Sequence, residues 1–464
     1  MGNVTILLVL SIALLHSLRA AMQHRCAHSR IRSIYKTERH AFEEGQVVRR
    51  VVPEPMRVLI VYDVDGGPSP VLASAVSALV ALLQSTLWLP RSTGRFEATN
   101  CHNWNRVETR GEDIVIFVSQ VDAHCREETL AWAIPCQEDY TTGRPISGVL
   151  NLCGAREFQD QDELFVVVAH EAMHLLGFSL HSLRPSRFYE NGQTVKKITS
   201  KQAVLTAREH FQCSSLNGVE LDGDGSHLRK RIYFDDGMSA VLTTSSTITP
   251  LDFAVLSGLG FYAVNASAIL NARGVKAPRW GKGLGCSFPT ENCLSHFIAH
   301  PNGCPFCFET GDGCTFDCSA VGRCGIYKYS RSINRKFQYF SDERLGGKSY
   351  MDYCPYVEPI GACEGGSECL AIGGSHECHT CEAADGVLVL DGWMVLNCSS
   401  EVLCPIGTPE NLRGVLCDRT KMCTQGMIER LCESGAGARG ANAAASRKHL
   451  GLAWCVLLVA VTFF

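Results

Sequence analysis

The stretch His170-Glu171-Ala172-Met173-His174-Leu175-Leu176-Gly177 decides both the fold and the chemistry of this chain. It follows an apolar run, residues 164–169, which is itself preceded by the polar segment 160–163. Acidic residues at the start and a glycine at the end are typical of a helix, because they complement the helix dipole and close the last turn. We therefore predict a buried helix that carries both histidines.

The two histidines are four residues apart, and this spacing places both side chains on one face of a helix. Neutral imidazole nitrogens bind Zn²⁺ at about 2.0–2.1 Å, and two of them fit this spacing. Glu171 is rotated by about 100° from His170, so it lies near the metal and can hold a water there. His-Glu-x-x-His on a helix is the pattern of zinc hydrolases. The alternative is an ordinary helix with two hydrogen-bonded histidines.

The composition of the 464-residue chain allows two or three domains with hydrophobic cores. The net charge is −4, and no basic block is long enough to follow a phosphate backbone. Nucleic acid is therefore not an expected partner. The 24 cysteines exceed what a reduced cytosolic protein usually carries, so we expect disulfide bonds and an oxidising compartment.

The amino terminus has the features of a secreted precursor. Residues 4–15 form an apolar core of signal-peptide length, so we predict a signal peptide over residues 1–21. Residues 22–50 lack a hydrophobic period and end at Arg49-Arg50, which indicates a pro-segment with a processing site. Its cysteine, Cys26, could occupy the open position of a zinc ion, since a thiolate is a strong zinc ligand. The alternative is a thiol that pairs later or is lost.

The carboxyl terminus carries a second processing pattern. Small residues, a polar spacer and the apolar tail 450–464 follow one another in the order of a glycolipid-anchor signal. We predict attachment at Asn442, removal of residues 443–464 and a membrane partner through the anchor. Ser434 or Gly435 would leave a longer spacer, and a short tail-anchor helix is the alternative.

Periodic segments before the zinc helix predict one mixed sheet. We expect strands over residues 57–62, 113–118 and 147–152 and a helix over residues 70–87. Together with the zinc helix they describe an α+β lobe, residues 51–180. The edge of such a sheet can bind an extended peptide by strand addition.

A central region, residues 181–278, is less periodic, with helices predicted over residues 200–211 and 249–259. Its loop contains Asp222 and Asp224, which could suggest calcium. A calcium loop needs an acid at its twelfth position, which is Tyr233 here, so an ordinary turn is the better interpretation.

The third region, residues 279–442, is rich in cysteine. Seventeen cysteines lie between Cys286 and Cys432, as expected of a disulfide-rich domain. The pairs Cys304/Cys307 and Cys378/Cys381 resemble halves of zinc knuckles, but disulfides are favoured in a secreted chain. Without Cys26 and the Cys455 of the tail, 22 cysteines remain, enough for eleven bridges.

Two sequons predict surface glycosylation, at Asn265 and at Asn397.

A catalytic zinc ion needs a third protein ligand. In the compact metzincin motif this histidine follows the second by six residues, a position held here by Leu180. His181 is one residue too far along and follows Gly177, so we predict that it lies in a loop. His227 is the better candidate, although the residues alone leave the choice among the remaining histidines open.

The chain resembles the leishmanolysin family, metzincin zinc endopeptidases with a long insertion before the third histidine. Gly225-Ser226-His227 resembles its third-ligand motif, and Met238 resembles the methionine of its Met-turn. The resemblance extends to segments 130–133, 177–179 and 258–262 and to His24-Arg25-Cys26 in the pro-segment.

This resemblance implies an α+β metzincin-like catalytic lobe followed by a disulfide-rich C-terminal domain. It implies that one Zn²⁺ is bound by His170, His174 and His227, with Glu171 as the catalytic carboxylate. It further implies that Met238 underlies the metal and that Cys26 is an inhibitory switch.

The implied activity is zinc-dependent hydrolysis of peptide bonds in protein substrates at the cell surface or outside the cell, by an enzyme made as a latent precursor. The alternatives are an inactive surface adhesion or binding protein on the same scaffold and a zinc amidase. Cleavage preference and oligomeric state stay open.

Overall fold

The computed structural model describes residues 24–42, 49–91, 93–103, 105–126, 129–153, 161–300, 305–364, 367–372, 375–379, 381–384, 387–390 and 394–397. The helices are α1 His28–Arg32, α2 Pro70–Thr86, α3 Gln161–Leu175, α4 Leu180–Leu183, α5 Lys201–Phe211, α6 Pro250–Gly258, α7 Ala266–Asn271, α8 Ser287–Thr290 and α9 Cys293–Ala299, with 3₁₀ turns at Arg335–Phe337 and Ser349–Met351. The strands are β1 His24–Arg25, β2 Glu38–His40, β3 Arg49–Pro55, β4 Val58–Asp63, β5 Leu87–Arg91, β6 Glu97–Thr99, β7 Arg106–Glu108, β8 Ile114–Ser119, β9 Ala131–Asp139, β10 Pro145–Leu152, β11 Ser186–Glu190, β12 Gln193–Ile198, β13 Val219–Leu221, β14 Val241–Leu242, β15 Ala263–Val264, β16 Asp312–Cys314, β17 Ala320–Cys324, β18 Tyr327–Lys328, β19 Leu345–Gly346, β20 Val357–Ala362, β21 Glu368–Ile372, β22 Ser375–His379, β23 Cys381–Ala384, β24 Val387–Leu390 and β25 Met394–Asn397.

The described chain divides into two compact units. The first contains the described residues up to Phe308 together with Gly325–Tyr356, and the second contains Glu309–Cys324 and the described residues from Val357 onward. The predicted signal peptide, the attachment residue Asn442 and the apolar tail lie outside the described residues. The domain boundaries proposed from the sequence stay predictions.

A five-stranded mixed sheet forms the centre of the first unit, in the order β2-β9-β10-β8-β4. Strands β4, β8 and β10 are parallel, and β9 is antiparallel to β10. On one face, Trp132 and Ile134 pack with Phe117 in the main hydrophobic cluster. Helix α3 packs against β9 and β10, and its Leu175 approaches Gly148 so closely that a Cβ there would lie 2.6 Å from the leucine Cδ2. The predicted α+β fold with a mixed sheet is confirmed.

Helix α3 has the buried character and the glycine stop predicted for it. Every residue from Leu164 to Leu175 except Val166 is buried. Gly177 adopts a φ of +107°, and Phe178 N–H donates to the carbonyl of Met173 at 2.9 Å. This is a Schellman closure, which needs a positive φ at the glycine. The turn reverses the chain immediately after His174.

Residues 24–42, part of the predicted pro-segment, fold onto this lobe. Strand β1 pairs with β14, and β2 pairs in parallel with residues 137–139 of β9. Between them, Ile31 of α1 and Ala27, the residue that precedes this helix, are buried in the main hydrophobic cluster. The edge of β9 is therefore covered by the chain's own amino-terminal segment.

The central region has more structure than the sequence pattern predicted. Strands β11, β12 and β13 form an antiparallel sheet, and α5 packs against α6. His181 lies in the one-turn helix α4 rather than in a loop, and its side chain is exposed.

Of the two predicted glycosylation residues, Asn265 caps α7 through its side-chain oxygen and is half-buried. Asn397 ends β25, and its side chain lies outside the described part.

Disulfides occur in both units. The bridges within the first unit include Cys101–Cys136, Cys125–Cys153, Cys213–Cys286 and Cys293–Cys354, and those within the second include Cys314–Cys369 and Cys363–Cys378. Cys307 is also disulfide-bonded, so this residue and Cys378, from the two Cys-x-x-Cys pairs, serve as bridge partners. The second unit contains the antiparallel sheets β16-β17-β20, β21-β22 and β23-β24-β25.

Within the described ranges, none of the helices combines the length and the apolar character needed to cross a bilayer.

Candidate metal centre

Three histidines converge in the interior of the first unit. His170 and His174 project from successive turns of α3, and His227 reaches them from the loop after β13. The Nε2 atom of His174 lies 3.2 Å from the Nε2 atoms of both His170 and His227. All three side chains are buried, with at most 1% of their surface exposed.

Each ring is oriented by an acceptor at its other nitrogen. The Nδ1–H groups donate to Gly237 O at 2.5 Å from His170, to Phe178 O at 2.6 Å from His174 and to Asp224 Oδ2 at 2.7 Å from His227. Because carbonyl and carboxylate oxygens only accept, the proton of each neutral ring stays on Nδ1. The three Nε2 lone pairs therefore face one another.

This arrangement fits a zinc ion. Facing lone pairs at 3.2 Å repel unless a cation lies between them, and tetrahedral zinc with bonds of about 2.0–2.1 Å would separate its nitrogen ligands by about 3.3–3.4 Å. Acceptors at the second ring nitrogen are what metal-binding histidines usually have. Burial, reinforced by the neighbouring rings, lowers the pKa of His174 well below its usual value, which favours the neutral form that binds metal.

The turn around Met238 supports two of these histidines. Gly237 supplies the carbonyl that orients His170, and Met238 O accepts the backbone N–H of Leu228, the residue after His227. Met238 is fully buried, and its own N–H donates to Asp236 Oδ1 at 2.8 Å. The turn therefore fixes the positions of His170 and His227 relative to each other.

Behind this turn lies a buried pair of carboxyl groups, Asp236 and Asp252. Asp236 Oδ2 accepts the hydroxyl of Thr249 at 2.6 Å, and Asp252 caps α6 by accepting the Thr249 N–H. Burial first, and then its neighbour's charge, raise the pKa of Asp252 well above the usual value, and burial also raises that of Asp236. A shared proton would satisfy Asp252 Oδ1, which has no N–H or O–H partner within the described part of the chain. Asp235 and Lys230 are the nearby charged groups.

Asp252→Asn is expected to remove a pH dependence of stability. The folded pair keeps a proton that both aspartates of the unfolded chain release near pH 3.9. Its contribution is thus complete below about pH 4 and is lost as pH rises through the raised pKa, by at most about 1.4 kcal/mol per pH unit. An asparagine amide can donate to Asp236 at every pH.

Unfolding by denaturant at several pH values between 4 and 7 tests this expectation. The variant should show a weaker fall in the free energy of unfolding than wild type, whereas the exposed control Asp312→Asn should follow wild type. Equal slopes for wild type and Asp252→Asn would contradict the shared proton.

Cys26 and Glu171 complete the cluster. The Sγ of Cys26 lies 3.3 Å from His174 Nε2 and 3.5 Å from Glu171 Oε1, and one ligand atom from each of Cys26 and the three histidines lies within 4.8 Å of all the others. Burial first, and then the charge of Glu171, raise the pKa of the Cys26 thiol well above its usual value. A thiolate at this position therefore needs a cation beside it.

The surrounding pro-segment holds Cys26 in place. The backbone N–H of Cys26 donates to Ala240 O at 3.4 Å. The ring of His28 stacks on the ring of His174, with 4.0 Å between the ring centroids. Ser29 Oγ donates to Asp224 Oδ2 at 2.8 Å. Further along, the hydroxyl of Tyr35 lies 2.9–3.0 Å from a nitrogen of His102 and of His124.

Sequence reasoning missed several of these residues. Asp224, for which the sequence predicts only an ordinary turn, accepts the ring N–H of His227. The spacing of three residues between the acid and the histidine is the signal in the sequence for this contact. The carbonyls of Phe178 and Gly237 act through the backbone, so their side chains gave no signal. His28 was visible only as a histidine two residues after Cys26.

Three imidazoles converge on an α+β lobe, beside a turn with a buried methionine, in an arrangement that could hold a metal ion and is consistent with a metzincin-like domain. The leishmanolysin family (peptidase M8) matches residues 94–384, more than half of the chain, and the chain belongs to this family, which is one of metalloendopeptidases. Its similar proteins include "Leishmanolysin" of Leishmania tropica, 33% identical over 53% of this chain and 38% of the relative. A "Leishmanolysin homolog" of Crithidia fasciculata is 30% identical over 61% of this chain and 45% of the relative. A "Leishmanolysin-like peptidase" of Drosophila melanogaster is 25% identical over 53% and 46%.

The matched part of the chain thus spans less than half the length of each of these relatives.

Proposed function

We propose that this protein is a zinc-dependent endopeptidase that hydrolyses peptide bonds of protein substrates and is made as a latent precursor. The observation that carries the proposal is the convergence of three Nε2 lone pairs beside a buried glutamate. In this proposal His170, His174 and His227 bind one zinc ion per chain. Family membership supports a metal-dependent peptidase.

Glu171 has the position of a general base. It is fully buried, and its Oε1 lies 3.5 Å from Cys26 Sγ, the atom at the fourth corner of the cluster. Bound zinc would polarise the substrate carbonyl and lower the pKa of water at its open position toward 7. Once Cys26 has left, Glu171 would take a proton from the attacking water and deliver it to the departing amine.

The edge of β9 is the proposed binding site for the substrate backbone. In the precursor, side chains of the pro-segment donate hydrogen bonds to backbone carbonyl oxygens of β9. His28 Nδ1–H donates to Ala133 O at 2.7 Å, and Thr37 Oγ donates to Pro135 O at 3.1 Å. When the pro-segment leaves, backbone N–H groups of an extended peptide can bind these oxygens by strand addition. The same edge would thus serve the inhibitor first and the substrate later.

The same contacts support the proposed latency. We propose that the Cys26 thiolate binds the zinc ion until cleavage near Arg49-Arg50, at the start of β3, releases the pro-segment. The salt bridge between Arg32 and Glu138, at 3.2 Å, also holds the segment on β9.

The site of action is proposed on sequence alone. A secretion signal over residues 1–21 and an anchor at Asn442 would place the enzyme at the cell surface. Cleavage of the anchor would release part of it into the extracellular medium. Glycosylation at Asn265 and Asn397 belongs to the same proposal.

Proteolysis of an unstructured protein by the purified, processed chain tests the function. We expect cleavage that stops after chelation and returns on addition of zinc. Binding of protein without cleavage would favour the adhesion alternative. Hydrolysis of small amides without cleavage of proteins would favour a zinc amidase.

A further inference from the structure

The loop that presents His227 is built around one carboxylate, that of Asp224. Its Oδ2 accepts the His227 Nδ1–H at 2.7 Å, and its Oδ1 accepts the backbone N–H of Ser226 at 2.9 Å. Gly225, with a φ of +76°, allows the backbone to turn between Asp224 and Ser226. Ser226 Oγ in turn accepts the backbone N–H of Leu180, just beyond α3.

His227 is the ligand that most needs such an orienting group. His170 and His174 share one helix, whose geometry fixes their spacing, whereas His227 comes from a loop 53 residues after His174. The other two rings are held by neutral carbonyls, and only His227 donates to a charged oxygen among the three. A charged acceptor forms a stronger hydrogen bond and makes the ring a better electron donor.

We infer that Asp224 is a positioning residue that orients His227 and sets the affinity of the site for zinc. This inference rests on the proposed zinc endopeptidase and adds a residue to it. Asp224 acts through His227 and need not touch the metal or the substrate.

The pro-segment contacts the same oxygen. Ser29 Oγ donates to Asp224 Oδ2 at 2.8 Å, so in the precursor this atom is shared between Ser29 and His227. The contact with Ser29 belongs to the precursor, whereas the contact between Asp224 and His227 lies within the lobe itself and does not involve the pro-segment.

Zinc affinity measured on the full-length chain tests this inference without an activity assay. Competition with a chromophoric zinc chelator gives the dissociation constant. For Asp224→Ala we expect zinc to bind about 10- to 100-fold more weakly, the usual effect of removing such a partner. Asp224→Asn keeps an acceptor oxygen without the charge, so its loss should be smaller.

Asp222→Asn is the matched control. It removes a carboxyl group two residues away in the same loop, while His227 keeps its hydrogen bond to Asp224. We expect a smaller loss of zinc affinity than in Asp224→Asn. Unfolding of the zinc-free proteins should be similar for all three variants, and the absorption of bound Co²⁺ should change only in the two Asp224 variants.

The outcomes separate the two proposals. Wild-type zinc affinity in both Asp224 variants, or an equal loss in Asp222→Asn, would overturn the positioning role and leave the endopeptidase intact. Absence of zinc binding by the wild-type chain would overturn both. If Asp224→Ala does not fold, the comparison of Asp224→Asn with Asp222→Asn decides.

Discussion

Glu171→Gln in the processed chain is expected to retain zinc and to lose nearly all peptide cleavage. The side chain is fully buried and lies beside the position that Cys26 occupies in the precursor. Glutamine keeps the shape but cannot accept a proton. General acid–base catalysis usually contributes about 10²- to 10⁴-fold, so kcat/KM should fall by at least this factor, or about 3–5 kcal/mol in the activation barrier.

The measurement needs zinc content and kcat/KM on the same preparation. Asp162→Asn is a matched control, since it removes an acid from the first turn of the same helix where the side chain is 85% exposed. This control should cleave at the wild-type rate. Activity near wild type in Glu171→Gln would remove Glu171 from the mechanism, and loss of zinc in that variant would mean that Glu171 also supports the ligands.

Cys26→Ala is expected to make the unprocessed chain active. The substitution removes the sulfur that lies 3.3 Å from His174 Nε2 but leaves the rest of the pro-segment on the lobe. Because β2 and α1 still cover the edge of β9, activity on short peptides should appear before activity on folded proteins. We expect an increase of about tenfold or more over the wild-type precursor, since tenfold needs only about 1.4 kcal/mol.

Ser33→Ala, an exposed position at the end of α1, is the control and should stay latent. The assay compares short-peptide cleavage by intact precursors, with gels to verify that none has been processed. A Cys26→Ala precursor as silent as wild type would contradict the thiol switch. Latency would then be explained by β2 and α1, which cover the edge of β9.

The sequence predicted those elements whose signal is local. Helix α3 was found from its acids, its apolar run and Gly177, and strands β4, β8 and β10 were found from short β-branched runs. Strand β9 was missed, because its second half, Cys136-Gln137-Glu138-Asp139, is polar in composition and is buried only by distant segments that fold over it. Such burial depends on contacts between residues far apart in sequence.

The candidate site shows the same division. The spacing of His170 and His174 is a property of one helix, so the sequence alone predicted that they converge. His227 needed the resemblance to a family, because a loop does not fix where its residues point. The calcium-loop pattern does not identify Asp224, because that pattern describes acids that bind a metal directly. No sequence spacing of similar specificity identifies a carboxylate that orients a metal-binding histidine.

The bridges Cys101–Cys136 and Cys125–Cys153 have a practical consequence for the bench. They tie β9 and the end of β10 to the stretch that carries His102 and His124, which contact Tyr35. Dithiothreitol or a similar reagent would reduce these two disulfides, and its own thiols could also compete for zinc. Purification and assay buffers should therefore exclude reductants, and expression hosts should export the chain rather than retain it in a reducing cytosol.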